Sequence, residues 1–93
     1  MQPFYLYILK CSDNSYYLGH TDNLEKRIYE HNQGIGGIYT SCRLPVQLVY
    51  HELFSSRDEA FQAERKLKKW TRLKKEILIY KGWEALQGWK SKY

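Results

Sequence analysis

At 93 residues the chain is one small domain, too short for a TIM barrel, a dinucleotide-binding fold or a multi-domain enzyme. A domain of this size buries only roughly 60–65% of its unfolded surface, yet 43% apolar and 27% charged residues exclude disorder as the default state. Nine Tyr, three Trp and three Phe accompany a net charge of +5, a balance that favours a nucleic acid or an acidic membrane surface as partner.

The start, Met1-Gln2-Pro3, has no basic n-region, and the apolar run Phe4–Leu9 is too short for a signal sequence or a membrane span. Residues 4–11 are aromatic and aliphatic throughout and predict a well-buried strand. Ser12-Asp13-Asn14-Ser15 is turn chemistry, and Tyr16-Tyr17-Leu18-Gly19 predicts a second strand, making a β-hairpin. Strand periodicity puts Tyr5 with Tyr7 on one face, and Tyr17 with Gly19 on one face.

Asp22 and Glu25 have capping-box spacing, with Thr21 an alternative cap, for a helix from about residue 23 to 32. Leu24 and Ile28 supply its core stripe; Arg27 and His31 stack four apart. Residues 34–45 predict a loop. Residues 47–54 predict a third strand, with Val49 opposite in sense to Leu48 and Tyr50. Ser56 and Glu59 form a second capping box, for a helix over 57–69 whose stripe is Ala60, Ala63, Glu64 and Leu67. Thr71 caps a third helix over 72–80, and Gly82 ends it. The expected architecture is α+β: a small three-stranded, mainly antiparallel sheet with flanking helices, order β-β-α-β-α-α. Residues 1–80 form the domain and 81–93 a short aromatic tail. Cys11 and Cys42 have no metal-ligand spacing and are expected as free thiols in a reducing, cytoplasmic setting.

Tyr5-Leu6-Tyr7 and Tyr17-Leu18-Gly19 on paired strands, Arg27 ten residues beyond Tyr17, then His31, then Glu64 on a later helix, form a joint pattern. Singly, each residue has an ordinary structural explanation: strand packing, a solvated helix face, an i,i+4 ion pair. Jointly they resemble the GIY-YIG nuclease family, above all its small stand-alone bacterial members (UPF0213-like), over about Phe4 to Ile79. Gly37-Ile38-Tyr39 spells the family name but follows the first helix and is not the motif; the matching element is Tyr5-Leu6-Tyr7. Two departures are visible: no Asn follows Asn32, and the position after Gly19 is His20, where some members carry Lys.

The resemblance implies a metal-dependent endonuclease. Phosphodiester hydrolysis needs a deprotonated water, a neutralised phosphorane and a stabilised leaving oxygen. By that resemblance Tyr17 is the general base or its relay, and Arg27 clamps the phosphate. A free phenol titrates near ~10, so a tyrosine base needs cationic neighbours at neutral pH. Glu64 is the sole protein ligand of one Mg²⁺ or Mn²⁺, His31 bonds the phosphate or nucleophile, and Tyr7 bonds Tyr17 or the phosphate.

DNA, branched, nicked or single-stranded, is the expected partner, with repair or recombination as the analogous setting. It would contact Tyr5, Gly19, His20, Tyr39 and Arg43, and the basic run that includes Arg65, Lys68, Lys69 and Arg72 around Trp70. A protein partner or homodimer is not indicated. Two other readings remain: a module on the same scaffold that grips nucleic acid without cutting it, and an adaptor docking through its aromatic tail.

Overall fold

The computed structural model describes residues 3–86. It contains β1 (Phe4–Lys10), β2 (Tyr16–Thr21), α1 (Leu24–Asn32), α2 (Ile38–Ser41), β3 (Gln47–Phe54), α3 (Arg57–Lys68) and α4 (Arg72–Lys81), then a 3₁₀ turn at Trp83–Leu86. The sheet is antiparallel in the order β2-β1-β3. The α+β architecture is the expected one. No helix among the described residues is long and apolar enough to cross a membrane.

Both faces of the sheet are covered. Leu6, Ile8 and Leu18 pack with Leu67, Leu78 and Leu86, which come from α3, α4 and the 3₁₀ turn. Tyr7 and Leu9 point the other way and pack with Val46, Tyr17, Leu24 and Ile28, so α1 covers that face. This explains why β1 reads as a continuous apolar run: every residue of its centre meets a helix.

The expected phase of β3 needs one correction. The register slips between Ile8 and Leu9, which pair with Tyr50 and Leu48. Val49 is the extra residue of a β-bulge, so Leu48 faces the α1 side while Tyr50 faces α3 and α4. Leu48 and Tyr50 therefore do not share a face.

Capping follows side-chain chemistry closely. Ser56 accepts from the Glu59 amide and Thr71 from the Lys74 amide, as their spacing predicts. At α1 the cap is neither Asp22 nor Thr21. Asn23 accepts from the Lys26 amide, while Thr21 Oγ1 accepts from the Asn23 amide in the preceding turn. The expected loop 34–45 contains the one-turn α2. Gly37-Ile38-Tyr39 opens that turn and lies on no strand. Beyond Gly82, Leu86 is buried in the main core and Trp83 Nε1 donates to Glu52 Oε1 at 2.9 Å. The remainder of the aromatic tail, residues 87–93, lies outside the described residues. Cys11 is a buried free thiol and Cys42 an exposed one.

Candidate active site

The centre of the site is a buried chain of three side chains. Tyr7, 1% exposed, lies 3.0 Å through its Oη from His31 Nε2, and His31 Nδ1 lies 2.7 Å from Thr40 Oγ1. His31 is wholly buried. With the phenol donating to Nε2, the ring proton sits on Nδ1 and is donated to Thr40 Oγ1. Burial pushes the Tyr7 phenol up to about 12; the nearby Tyr17 and Glu64 add to this and Arg27 opposes it. Burial also lowers the His31 pKa, helped by Arg27 and opposed by Glu30. At neutral pH Tyr7 is thus a protonated donor and His31 a neutral imidazole.

Two glycines make room for this chain. Gly19 pairs with Tyr7 across the strands, and a Cβ there would sit 2.5 Å from the Tyr7 oxygen. A Cβ on Gly36 would sit 2.3 Å from His31 Nδ1. Both distances are far inside van der Waals contact.

Arg27 projects from α1 beside Tyr7. It donates to Glu30 Oε1 at 3.1 Å and to the Gly36 carbonyl at 2.9 Å. Desolvation weakens its charge, but the Tyr7 and Glu30 neighbours outweigh that and hold the guanidinium charged. Tyr17 meets the edge of His31 at 5.2 Å between centroids and stacks on Tyr39 at 5.9 Å. Arg43 lies 3.8 Å above the Tyr39 ring and is anchored by Asp13 and the Tyr39 carbonyl. Tyr39 thus packs against Tyr17 and Arg43 and remains 39% exposed.

Glu64 arrives from the other side of the sheet. His20 is opposite Leu6 in register, which puts it on the α3 face, beside Glu64. The Glu64 carboxylate is buried; Oε1 lies 2.6 Å from His20 Nδ1 and Oε2 lies 2.6 Å from Lys68 Nζ. β2 is an edge strand of the sheet. Glu64 is near enough to Tyr7 to raise its pKa. A cavity of about 410 Å³ lined by His20, Arg57, Asp58 and Phe61 opens next to this pair.

The structure thus brings Tyr7, Tyr17, Arg27 and His31 together and brings Glu64 in from behind β2. His31 has no ring nitrogen left for a phosphate. Tyr7 bonds His31 rather than Tyr17. His20 and Lys68 engage Glu64. Tyr5 lies apart, edge-on to His51 at 6.1 Å. Arg72 sits 4.4 Å above the Tyr16 ring and pairs with Glu76, away from this cluster. Arg65 and Lys69 line a second cleft of about 400 Å³ with Gln62, Lys66 and Trp70. Neither Gly36 nor Thr40 stands out in the sequence, since both lie in the expected loop 34–45.

Among the described residues no three His, Cys, Asp or Glu side chains cluster to hold a metal ion. A single carboxylate can still hold one hard cation, with water and phosphate completing its shell. Glu64 fits that test, since an ammonium group already occupies the cation position at Oε2.

The site thus combines a hairpin with Tyr7 opposite Gly19, an arginine and a histidine from the next helix, and a glutamate from a later one. The chain belongs to the GIY-YIG family: the GIY-YIG catalytic domain matches residues 3–76. Domains of this family are typically nucleases, which act on nucleic acid and generally use a divalent metal. Within it the chain is similar to UPF0213 proteins. It is 51% identical over 75 residues to one from Bacillus pumilus, covering 81% of this chain and 76% of that one. It is 48% identical over 82 residues to one from Staphylococcus saprophyticus, covering 88% and 100%. The solution structure of the UPF0213 protein BH0048 from Bacillus halodurans is similar at 41% identity, covers 87% of each chain and has a TM-score of 0.55. That of protein EF2693 from E. faecalis is similar at 37% identity, covers 100% of this chain and 92% of that one and has a TM-score of 0.57.

Proposed function

We propose that this protein is a cytoplasmic, divalent-metal-dependent endonuclease that hydrolyses DNA phosphodiesters, with selectivity for branched, nicked or single-stranded forms and a role in repair or recombination. The observation that carries the reading is the convergence at Tyr7. The charged Arg27, the His31–Thr40 pair, Tyr17 and Glu64 all act on one buried phenol.

In this reading a water attacks phosphorus, and Tyr17 relays its proton: the Tyr17 oxygen takes the water's proton as its own hydroxyl proton passes to solvent. Arg27 holds the equatorial oxygens, where charge accumulates. Tyr7, kept protonated by its burial, donates to His31, and His31 with Thr40 holds the ring in place beside Arg27. The P–O bond to the leaving oxygen breaks, and that oxygen takes a proton from solvent. Glu64 would hold the Mg²⁺ or Mn²⁺, which supplies charge neutralisation and a more acidic bound water. Arg65, Lys66 and Lys69 pair with no acidic side chain among the described residues, and their cleft suits a phosphate backbone. Tyr17→Phe tests this assignment: DNA affinity should hold while cleavage falls at least about a hundredfold, the usual share of a general base.

A second reading, a module that grips nucleic acid without cutting, is favoured by one observation. Both Glu64 oxygens are already engaged, by His20 and Lys68. Under it, wild type binds DNA in a salt-sensitive way and cleaves none with any metal.

A further inference from the structure

The Glu64 carboxylate carries its own resident cation. Lys68, one turn further along α3, places Nζ 2.6 Å from Oε2, while His20 holds Oε1. The two partners differ in freedom. The His20 side chain is 19% exposed and wedged against the rings of Phe4 and Phe61, whereas the Lys68 side chain is 54% exposed. Lys68 can swing away without vacating a packed site; His20 cannot.

An ammonium and a divalent ion cannot share one carboxylate oxygen at this distance, because like charges so close repel strongly in a partly buried setting. We propose that Lys68 is an exchangeable gate on Glu64. It occupies the cation position in the free protein, keeps the carboxylate oriented, and must leave before a metal can bind. The freed ammonium stays within a side chain's length of the site, where a substrate phosphate is its natural new partner. Nucleic acid therefore draws Lys68 off Glu64 and opens the carboxylate. Metal and nucleic acid should then each strengthen binding of the other.

This inference rests on Glu64 as the metal ligand, so the test separates the two. Mn²⁺ binding is followed by loss of the free-ion paramagnetic resonance signal, without DNA, for wild type, Lys68→Met, Lys68→Gln and Glu64→Gln. Lys66→Met, one charge removed from the same helix, controls for a general electrostatic effect. Circular dichroism checks that each variant is folded. Both Lys68 variants should bind Mn²⁺ roughly fivefold more tightly than wild type, the upper end for a half-exposed ion pair, and Lys66→Met should match wild type. Adding a phosphorothioate duplex that resists hydrolysis should tighten Mn²⁺ binding more in wild type than in Lys68→Met. Equal or weaker binding by both Lys68 variants, no binding by either, or the same gain in Lys66→Met overturns the gate. Retained binding in Glu64→Gln instead overturns Glu64 as the ligand.

Discussion

The Tyr7–His31–Thr40 chain makes Tyr7→Phe a sharp test of the site's construction. Removing one oxygen loses a buried hydrogen bond and leaves His31 Nε2 without its donor in a place that water does not reach. The ring itself still fills the core, so no cavity of consequence forms. A net hydrogen bond contributes about 0.5–1.5 kcal/mol, and stranding its buried partner raises the cost to about 1–3 kcal/mol. For a domain of this size each kcal/mol lowers Tm by about 4–8 °C. Urea unfolding followed by far-UV circular dichroism, with thermal melts alongside, measures both. Tyr29→Phe, on an exposed ring, serves as the control and should change stability by less than about 0.5 kcal/mol. Thr40→Val cuts the other end of the chain, and the double variant should cost less than the two single costs added. A Tyr7→Phe protein as stable as the Tyr29→Phe control would refute the buried chain.

Gly19→Ala should destabilise by about 1–3 kcal/mol, because its Cβ would strike the Tyr7 hydroxyl and the core must shift; urea unfolding reads the loss. His31 gives a pH dependence. Its folded-state pKa is depressed, so the unfolded chain takes up the proton first as pH falls below about 6.5. Stability should be full above that pH and drop below it, and His31→Gln should flatten the slope between about pH 5 and 7. Arg65→Ala and Lys69→Ala should each weaken DNA binding and reduce the salt slope by about one, measured by fluorescence anisotropy across salt concentrations.

Much of this was legible in the sequence, and the gaps have physical causes. Strand runs and capping serines and threonines located β1, β2, α3 and α4, because each is a local signal. Asn23 displaced Asp22 as the α1 cap because two adjacent residues offer the same chemistry, and only the turn at Thr21 decides between them. The bulge at Val49 left no mark in composition, yet it reverses the facing of Leu48 against Tyr50. The set Tyr7, Tyr17, Arg27 and His31 is legible through the family resemblance, because all four lie on one hairpin and the helix after it. That His31 spends both nitrogens internally was hidden, since Thr40 and Gly36 sit in a segment without periodicity. That Glu64 reaches the site from the opposite face was hidden too. It depends on β2 being the edge strand and on His20 facing α3, neither of which a helical stripe reveals.

The most direct test of nuclease function incubates wild type and Glu64→Ala with supercoiled, linear and branched DNA, with Mg²⁺, Mn²⁺ or excess chelator. The account predicts metal-dependent cleavage by wild type that chelator stops and Glu64→Ala lacks, with DNA binding retained in the variant. Salt-sensitive binding by wild type with no cleavage of any substrate under any metal would contradict it.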